Sequence, residues 1–156
     1  MNFGEGASME KLFVYGTLRT PCNTDAADTR NYEFIADEVI SAQPATFEGA
    51  DLLSFIHYPG IKPGAGTVVG ELFELTDAGL EICDGIESHP GFFWRTVASV
   101  STGNDEKTRA WIYWAPTTML ADGELIPSGD WFDRDRGRSD GRTLAEALAE
   151  DRQKHV

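Results

Sequence analysis

An apolar run that ends abruptly in glycine stands near the start of the chain. Residues 11–15 read Lys-Leu-Phe-Val-Tyr, and they are followed directly by Gly16, Thr17, Leu18 and Arg19. The run predicts a β-strand, because its residues are apolar or favour extended backbone. Glycine at a strand end allows a sharp turn and the close approach of another group. The amides of residues 16–19 could converge there on one small space, an arrangement that holds a carboxylate or an oxyanion.

A second segment that could take part in a reaction lies in the middle of the chain. Thr76 or Asp77 can cap a helix that runs to about Ile86, and Glu87 comes just past it, ahead of the aromatic residues 92–94. A carboxyl group beside apolar side chains loses hydration, which raises its pKa and makes it usable as a base near neutral pH. A solvated glutamate at a helix end is the alternative interpretation.

Together the two segments resemble the γ-glutamylcyclotransferase-like superfamily, which includes the AIG2-like proteins. The family marks are a Tyr-Gly-Ser/Thr-Leu/Asn turn, here residues 15–18, and a later glutamate in an Asp-x-x-Glu setting, here Glu87. A Tyr-x-Arg strand follows in the family; here it reads Phe93-Trp94-Arg95, so the tyrosine hydroxyl is missing. A Gly-Asp-Trp segment corresponds to residues 129–131. The resemblance implies an α+β fold, a small mixed β-barrel with a few flanking helices.

The resemblance also implies an enzyme that cyclises a γ-glutamyl group and releases 5-oxoproline and an amine. Glu87 holds the position of the family's acid/base, and we expect substrate contacts at Tyr15, Gly16, Thr17, Leu18 and Arg19. The ring closes within one molecule, so holding the substrate folded supplies much of the acceleration. We expect no metal ion or organic cofactor, because proton transfer and ring closure need neither.

Two other classes of function stay open at this point. One is a small-molecule binding or regulatory module that keeps the cavity without turnover, and the other is a protein-interaction domain that uses an acidic face. The γ-glutamyl donor also stays open, because specificity would lie in the loops around residues 20–35 and 54–66, whose shapes the sequence does not reveal.

The charge balance narrows the choice of partners. The chain carries 26 Asp and Glu against 13 Lys and Arg, a formal net charge of -13. Such a surface repels nucleic-acid phosphates and anionic membranes, so we expect neither as a partner, and a small-molecule substrate instead.

The two cysteines, Cys22 and Cys83, are too few for a disulfide scaffold and suit a reducing cytoplasm. The oligomeric state is left open.

Along the chain we expect three segments. They are a flexible segment at residues 1–10, the resembling domain at 11–132, and a charged linker with a C-terminal helix at 133–156. The helix opens with a capping box at residues 143–146 and runs to about Lys154; Leu144 and Leu148 could dock it on the barrel, or it stays loosely attached. The linker has an Asp-x-Asp spacing, but glycine stands where a calcium ligand should be, so we expect no metal there.

Within the domain, several further elements are predicted. Residues 57–66 are dense in proline and glycine, which indicates a long surface loop. Strands are predicted at 45–53, with a kink at Gly49, and at 67–75, 93–100 and 108–114, and a short helix near 28–35. Arg95 is expected to pair with an acidic side chain and so to fix its strand.

Overall fold

A computed structural model describes residues 9–137 and 139–155 of the chain. A closed barrel of five strands forms its centre, and a short sixth strand pairs with β2. The strands are β1 (Met9–Val14), β2 (Val39–Ser54), β3 (Pro59–Thr76), β4 (Trp94–Thr102), β5 (Lys107–Trp114) and β6 (Glu124–Leu125). The α-helices are α1 (Asp77–Glu87) and α2 (Leu144–His155), and short 3-10 helices cover Ala26–Thr29, Tyr32–Phe34, Ala36–Glu38, Thr117–Asp122 and Trp131–Asp133. The predicted fold class, a small mixed barrel with a few helices, is confirmed.

Around the barrel the strands follow the order β3, β1, β5, β4, β2, and the pairing of β2 with β3 closes the ring. β1 runs parallel to β5, with Leu12 opposite Trp111, and the other pairings between described strands are antiparallel. β1 begins at Met9, so it takes up the last two residues of the segment predicted to be flexible. Residues 1–8 of that segment lie outside the described residues.

β2 and β3 form a long antiparallel hairpin, and the prediction of a surface loop at residues 57–66 is wrong over most of its length. Residues 59–63 pair with residues 50–54. Gly64 and Gly66 lie so close to Asp51 that a Cβ atom on either would clash with its carboxylate. The Gly66 amide also donates to Asp51 Oδ1 at 3.1 Å. These glycines make room for the Asp51 side chain and do not turn the backbone. Composition alone does not distinguish glycines that allow close packing from glycines that form a loop.

The kink predicted in β2 is confirmed. The register with β3 shifts between Glu48 and Ala50, around Gly49, whose φ is +113°. Glycine is the residue that adopts this backbone conformation without strain. The helix predicted near residues 28–35 is instead a series of short 3-10 helices.

α1 follows β3 directly, and of the two caps that the sequence allowed, Thr76 and Asp77, the structure has Thr76. The Thr76 hydroxyl accepts a hydrogen bond from the Gly79 amide at 3.1 Å, which satisfies one of the free donors at the helix start. Ser88, in the left-handed conformation with φ +55°, ends the helix. Glu87 is therefore the last residue of α1, one position inside the helix rather than just past it.

Alternate residues of the strands build two apolar clusters, one on each face of the sheet. On β1, Phe13 packs in the cluster that contains the fully buried Trp131, whereas Leu12 packs in the cluster that contains Leu80 and Cys83 of α1. Apolar side chains on both faces are what a closed barrel covered by a helix requires. The predicted core position of Cys83 is confirmed.

The charged segment after the barrel is anchored by one buried carboxylate, that of Asp28, which is 0% exposed. Arg136 donates to both of its oxygens, at 3.0 and 2.9 Å, and Arg134 lies 2.7 Å from Oδ1. The Trp131 indole donates to the Asp28 carbonyl at 3.2 Å. Burial alone would raise the pKa of Asp28, but the hydrogen bonds from Arg136, Thr24 and Arg134 hold it at about 2.

α2 is docked on the barrel, which decides between the two alternatives for the C-terminal helix. The predicted capping box is present: the Thr143 amide donates to Glu146 Oε1 at 3.0 Å, and the Glu146 amide donates to Thr143 Oγ1 at 3.1 Å. Ala147 is 0% exposed, and Leu148 packs against the cluster under α1.

The Asp28 cluster predicts a specific loss of stability in acid. Because the pKa of Asp28 is lowered from 3.8 to about 2 in the folded state, its contribution is complete above pH 4 and is lost as the pH falls towards 2. We expect Asp28→Asn to lower the free energy of unfolding by about 2 kcal/mol at pH 7 and by much less near pH 2. Urea unfolding at both pH values measures this. Asp37→Asn, at an exposed position, is the control, and an equal effect of the two substitutions would contradict the assignment.

Candidate active site

A cavity of about 650 Å³ lies beside the end of β1, where the chain leaves the barrel. Its walls come from seven parts of the chain: the end of β1 with the turn after it, the 3-10 segment near residue 30, the β2–β3 hairpin at residues 58–59, the second half of α1, the aromatic residues after it, Tyr113 of β5, and α2. The lining residues that matter below are Tyr15, Gly16, Thr17, Leu18, Arg30, Asn31, Tyr58, Ile86, Glu87, Phe93, Leu144, Leu148 and Arg152. Most of this wall is apolar, so a charged group inside it is only partly hydrated.

The turn after β1 is held from both sides. The Arg19 amide donates to the Gly16 carbonyl at 3.0 Å, which closes the turn. Asn31 fixes Thr17 twice: its amide donates to the Thr17 carbonyl at 3.0 Å, and its side chain donates to Thr17 Oγ1 at 2.8 Å. Gly16 packs so tightly on Pro59 that a Cβ atom would clash with the proline ring. Glycine is therefore required here for close packing.

Three of the four backbone amides predicted for an anion site remain available. Outside the strand ladders, the hydrogen bonds between described residues leave the amides of Gly16, Thr17 and Leu18 unused. All three residues line the cavity. The fourth amide, that of Arg19, is consumed within the turn. Adjacent free amides on a fixed turn can bind a carboxylate or a developing oxyanion.

The expected substrate contact of Arg19 needs correction, because its side chain lies outside the cavity that contains Glu87. Its guanidinium donates to Asp130 at 2.9 Å and lies 3.8 Å from the ring centroid of Phe132. Arg19 thereby lines a second, smaller cavity of about 440 Å³ rather than the one that contains Glu87. The side chain points away because Asp130, in the Gly-Asp-Trp segment, offers it a charged partner.

The Gly-Asp-Trp segment thus supports the turn from behind. Gly129 lies against the backbone of β3, where a Cβ atom would clash with the Thr67 carbonyl, and its own carbonyl accepts from the Val69 amide at 2.8 Å. Asp130 holds Arg19, and Trp131 is fully buried. The segment positions the turn without touching the cavity around Glu87.

Glu87 reaches the cavity from the end of α1 and is half-buried. No described residue donates a hydrogen bond to its carboxylate, and its main-chain carbonyl accepts from the Phe93 amide at 3.1 Å. Burial raises the pKa of Glu87 to about 7; the charges of Arg152 and Arg30 work against the rise, and that of Asp84 adds to it. A carboxyl with this pKa can accept a proton and return it at neutral pH.

Tyr15 lines the cavity, but its hydroxyl is already engaged. It donates to the Tyr113 carbonyl at 2.7 Å. Burial, and then the charge of Glu87, raises the pKa of Tyr15 well above its usual value, so the phenol stays protonated. Tyr15 therefore contributes an apolar wall and a fixed start for the turn.

Arg95 has the structural role that the sequence indicated. Its Nε and Nη2 atoms donate to the two carboxylate oxygens of Asp84, at 2.8 and 3.0 Å, and the Tyr113 hydroxyl donates to the same group at 2.6 Å. Burial works against ionisation of Asp84, but these hydrogen bonds hold its pKa below the usual range. The pair ties α1 to β4 and β5, one turn before Glu87.

The contributors to the cavity that the sequence did not single out include Arg30, Asn31 and Arg152. Arg30 and Asn31 fall within residues 20–35, where specificity was expected to lie, but nothing in the sequence distinguished them from their neighbours. Arg152 did have a signal, because Leu144, Leu148 and Arg152 are spaced four residues apart and share one face of the predicted helix. Placing Arg152 in the cavity needed the knowledge that this face docks beside Glu87.

The described part of the chain contains neither a cluster of metal-ligating side chains nor a membrane-spanning helix. There, no three His, Cys, Asp or Glu side chains are placed together as metal ligands. Across residues 9–137 and 139–155, no helix has the length and apolar character needed to cross a membrane.

Comparison with known proteins identifies the family. The family model described as γ-glutamyl cyclotransferase, AIG2-like, matches residues 12–133. The γ-glutamylcyclotransferase family protein YtfP of Escherichia coli K12 is 34% identical over 128 residues, which cover 81% of this chain and 99% of YtfP.

Two solved structures share the fold. An AIG2-like protein of Mus musculus has a TM-score of 0.59 and 21% identity, covering 83% of this chain and 99% of that one. YkqA of Bacillus subtilis has a TM-score of 0.58 and 24% identity, covering 80% of this chain and 40% of YkqA. The resemblance found in the sequence is therefore confirmed: the chain belongs to the AIG2-like γ-glutamyl cyclotransferase family.

Proposed function

We propose that the protein is a γ-glutamyl cyclotransferase that converts a γ-glutamyl amine or peptide into 5-oxoproline and a free amine. The observation that carries this proposal is the placement of Glu87, unbonded and with a raised pKa, in the same cavity as the turn of residues 16–18. A base and a set of oxyanion donors facing one space are the two groups that this reaction needs.

In the proposed reaction, the Glu87 carboxylate accepts a proton from the α-ammonium group of the substrate. The freed amine attacks the γ-carbonyl carbon, and a new C–N bond closes the five-membered ring. Negative charge develops on the carbonyl oxygen, where the amides of Gly16, Thr17 and Leu18 can donate to it. The Glu87 carboxyl then gives its proton to the leaving nitrogen as the old C–N bond breaks. The regenerated carboxylate takes the second proton from the ring nitrogen, which becomes the lactam N–H, and passes it to the released amine, which leaves as an ammonium ion.

The apolar walls of the cavity assist this chemistry in two ways. They keep the pKa of Glu87 near 7 by excluding water, and they favour the folded substrate, in which amine and carbonyl lie in contact.

The free cysteines, Cys22 exposed and Cys83 buried, suit a reducing compartment, and we propose the cytoplasm as the place of action.

The direct test is the product. Incubation with a panel of γ-glutamyl amines and peptides should yield 5-oxoproline without added metal ion or nucleotide, because ring closure needs only proton transfer. Chromatography with mass detection measures it. Activity that a chelator removes and a divalent cation restores would contradict the mechanism, and a panel without any product would favour the binding-module alternative.

Substitution of the base tests its assignment. We expect Glu87→Gln to lower kcat at least about a hundredfold, because the amide keeps the shape but accepts no proton. Its melting temperature should equal or exceed that of the wild type above pH 7, since the substitution removes a half-buried carboxylate that accepts no hydrogen bond from a described residue. Glu81→Gln, an exposed position on the same helix, is the control. Activity within tenfold of the wild type would place the base elsewhere.

The raised pKa predicts the pH profile. Since Glu87 must be ionised to accept a proton, kcat/KM should fall about tenfold per pH unit below pH 7 and should level off above it. A series of initial rates from acid to neutral pH measures this limb. A profile that stays flat down to about pH 5 would mean that the working base has an ordinary carboxyl pKa.

A further inference from the structure

α2 lies beyond the segment that the family model matches, residues 12–133, yet it forms a wall of the cavity through Leu144, Leu148 and Arg152. We propose that Arg152 forms an anion subsite, which makes this protein selective for substrates that carry a negative charge on the amine half. The inference rests on the proposed function for the identity of the substrate, but its structural basis is independent of turnover.

The position of Arg152 is fixed by the docking of α2. Ala147 and Leu148 pack α2 against the rest of the protein. A hydrogen bond adds to this docking, because Asp151, next to Arg152, accepts from the Tyr58 hydroxyl at 2.5 Å. Arg142 donates to the other oxygen of Asp151 at 3.2 Å. Asp151 is therefore satisfied by Tyr58 and Arg142. No hydrogen bond between described residues joins it to Arg152.

The guanidinium of Arg152 has unused donors inside the protein. Its Nη2 atom donates to the Ile86 carbonyl at 2.7 Å, one residue before Glu87. Its Nε atom is buried and has no hydrogen-bond partner among the described residues. A guanidinium carries five N–H donors in a planar fork suited to a carboxylate. A buried donor without a partner is costly, and a ligand oxygen would relieve that cost.

Charge in the cavity points to the same ligand. Arg30 and Arg152 both contribute positive charge at Glu87, which near neutral pH is only partly ionised. Glu33 also lines the cavity, but it is exposed. Arg30 donates two hydrogen bonds from Nη1, to the carbonyls of Ala27 and His57, whereas Arg152 donates one among the described residues, from Nη2 to the Ile86 carbonyl. Two arginines at one cavity are notable in a chain with a net charge of -13.

The substrate can offer two anions, and they meet different parts of the chain. The carboxylate of the γ-glutamyl half, or the oxyanion formed from it, is suited to the amides of residues 16–18. Arg152 approaches from another element, α2, and takes a second anion on the amine half. This division yields a test, because a substrate can keep the first anion and lose the second.

γ-Glutamylglycine and γ-glutamylglycinamide form the matched pair, since they differ only in the charge of the amine half. We expect the wild type to prefer the acid. Arg152→Gln should lower kcat/KM for the acid by about tenfold to a hundredfold, as for a hydrogen bond between charged groups, and for the amide by less than about threefold. Rates are compared on the plateau of each pH profile, because loss of Arg152 also raises the pKa of Glu87. Arg109→Gln, exposed on β5, controls for the change in net charge.

Equal losses for the two substrates, or an unchanged preference, would overturn the subsite. Titration calorimetry of both compounds with Glu87→Gln, and with the Glu87→Gln/Arg152→Gln double variant, gives a readout that needs no turnover. The acid should bind the single variant more tightly than the amide does, and the double variant should lose this difference. If no γ-glutamyl compound is cyclised but the calorimetric difference is present, the proposed function fails and the subsite stands. If the difference is absent, the subsite fails whatever the activity.

Discussion

The position of β1 between β3 and β5 is the constraint on which the site depends. One neighbour is antiparallel and the other parallel, and closure of the barrel through β2 and β3 leaves the strand no freedom to slip. The chain leaves the barrel at Tyr15, whose hydroxyl is bonded to β5, so the turn starts from a fixed point. Backbone donors stabilise a developing charge only when they are oriented before it forms. The barrel therefore contributes to the proposed chemistry through rigidity more than through any side chain it places in the cavity.

α1 carries two carboxylates whose environments drive their pKa values apart. Asp84 receives hydrogen bonds from Arg95 and Tyr113 and stays ionised, whereas Glu87, three residues later, has no donor and a pKa of about 7. Burial acts to raise both pKa values, so the contrast reflects the hydrogen bonds that Asp84 accepts and Glu87 lacks. The ion pair of Asp84 fixes the helix, and the fixed helix presents Glu87.

The sequence predicted features that depend on neighbours in the chain, and it failed for features that depend on distant contacts. The cap at Thr76 and the strand end at Gly16 are local, and they were found. Gly64 and Gly66 were read as part of a loop because the side chain that packs against them, that of Asp51, is distant in sequence. Arg19 was placed in the site because nothing nearby in sequence revealed Asp130 as its partner. The contribution of α2 was missed for the same reason, although the spacing of its cavity-facing residues is regular.

The buried carboxylate of Asp28 joins two walls of the cavity that are far apart in sequence. It belongs to the 3-10 segment that leads to Arg30, and it binds two arginines of the segment that leads to α2. Those arginines, Arg134 and Arg136, lie beyond the span shared with the family model. Loss of Asp28 would leave both arginines without their shared carboxylate, so we expect the three positions to vary together. Covariation of position 28 with positions 134 and 136 is therefore expected in relatives that keep a docked C-terminal helix, and position 28 is free to vary in relatives whose chain stops at the barrel.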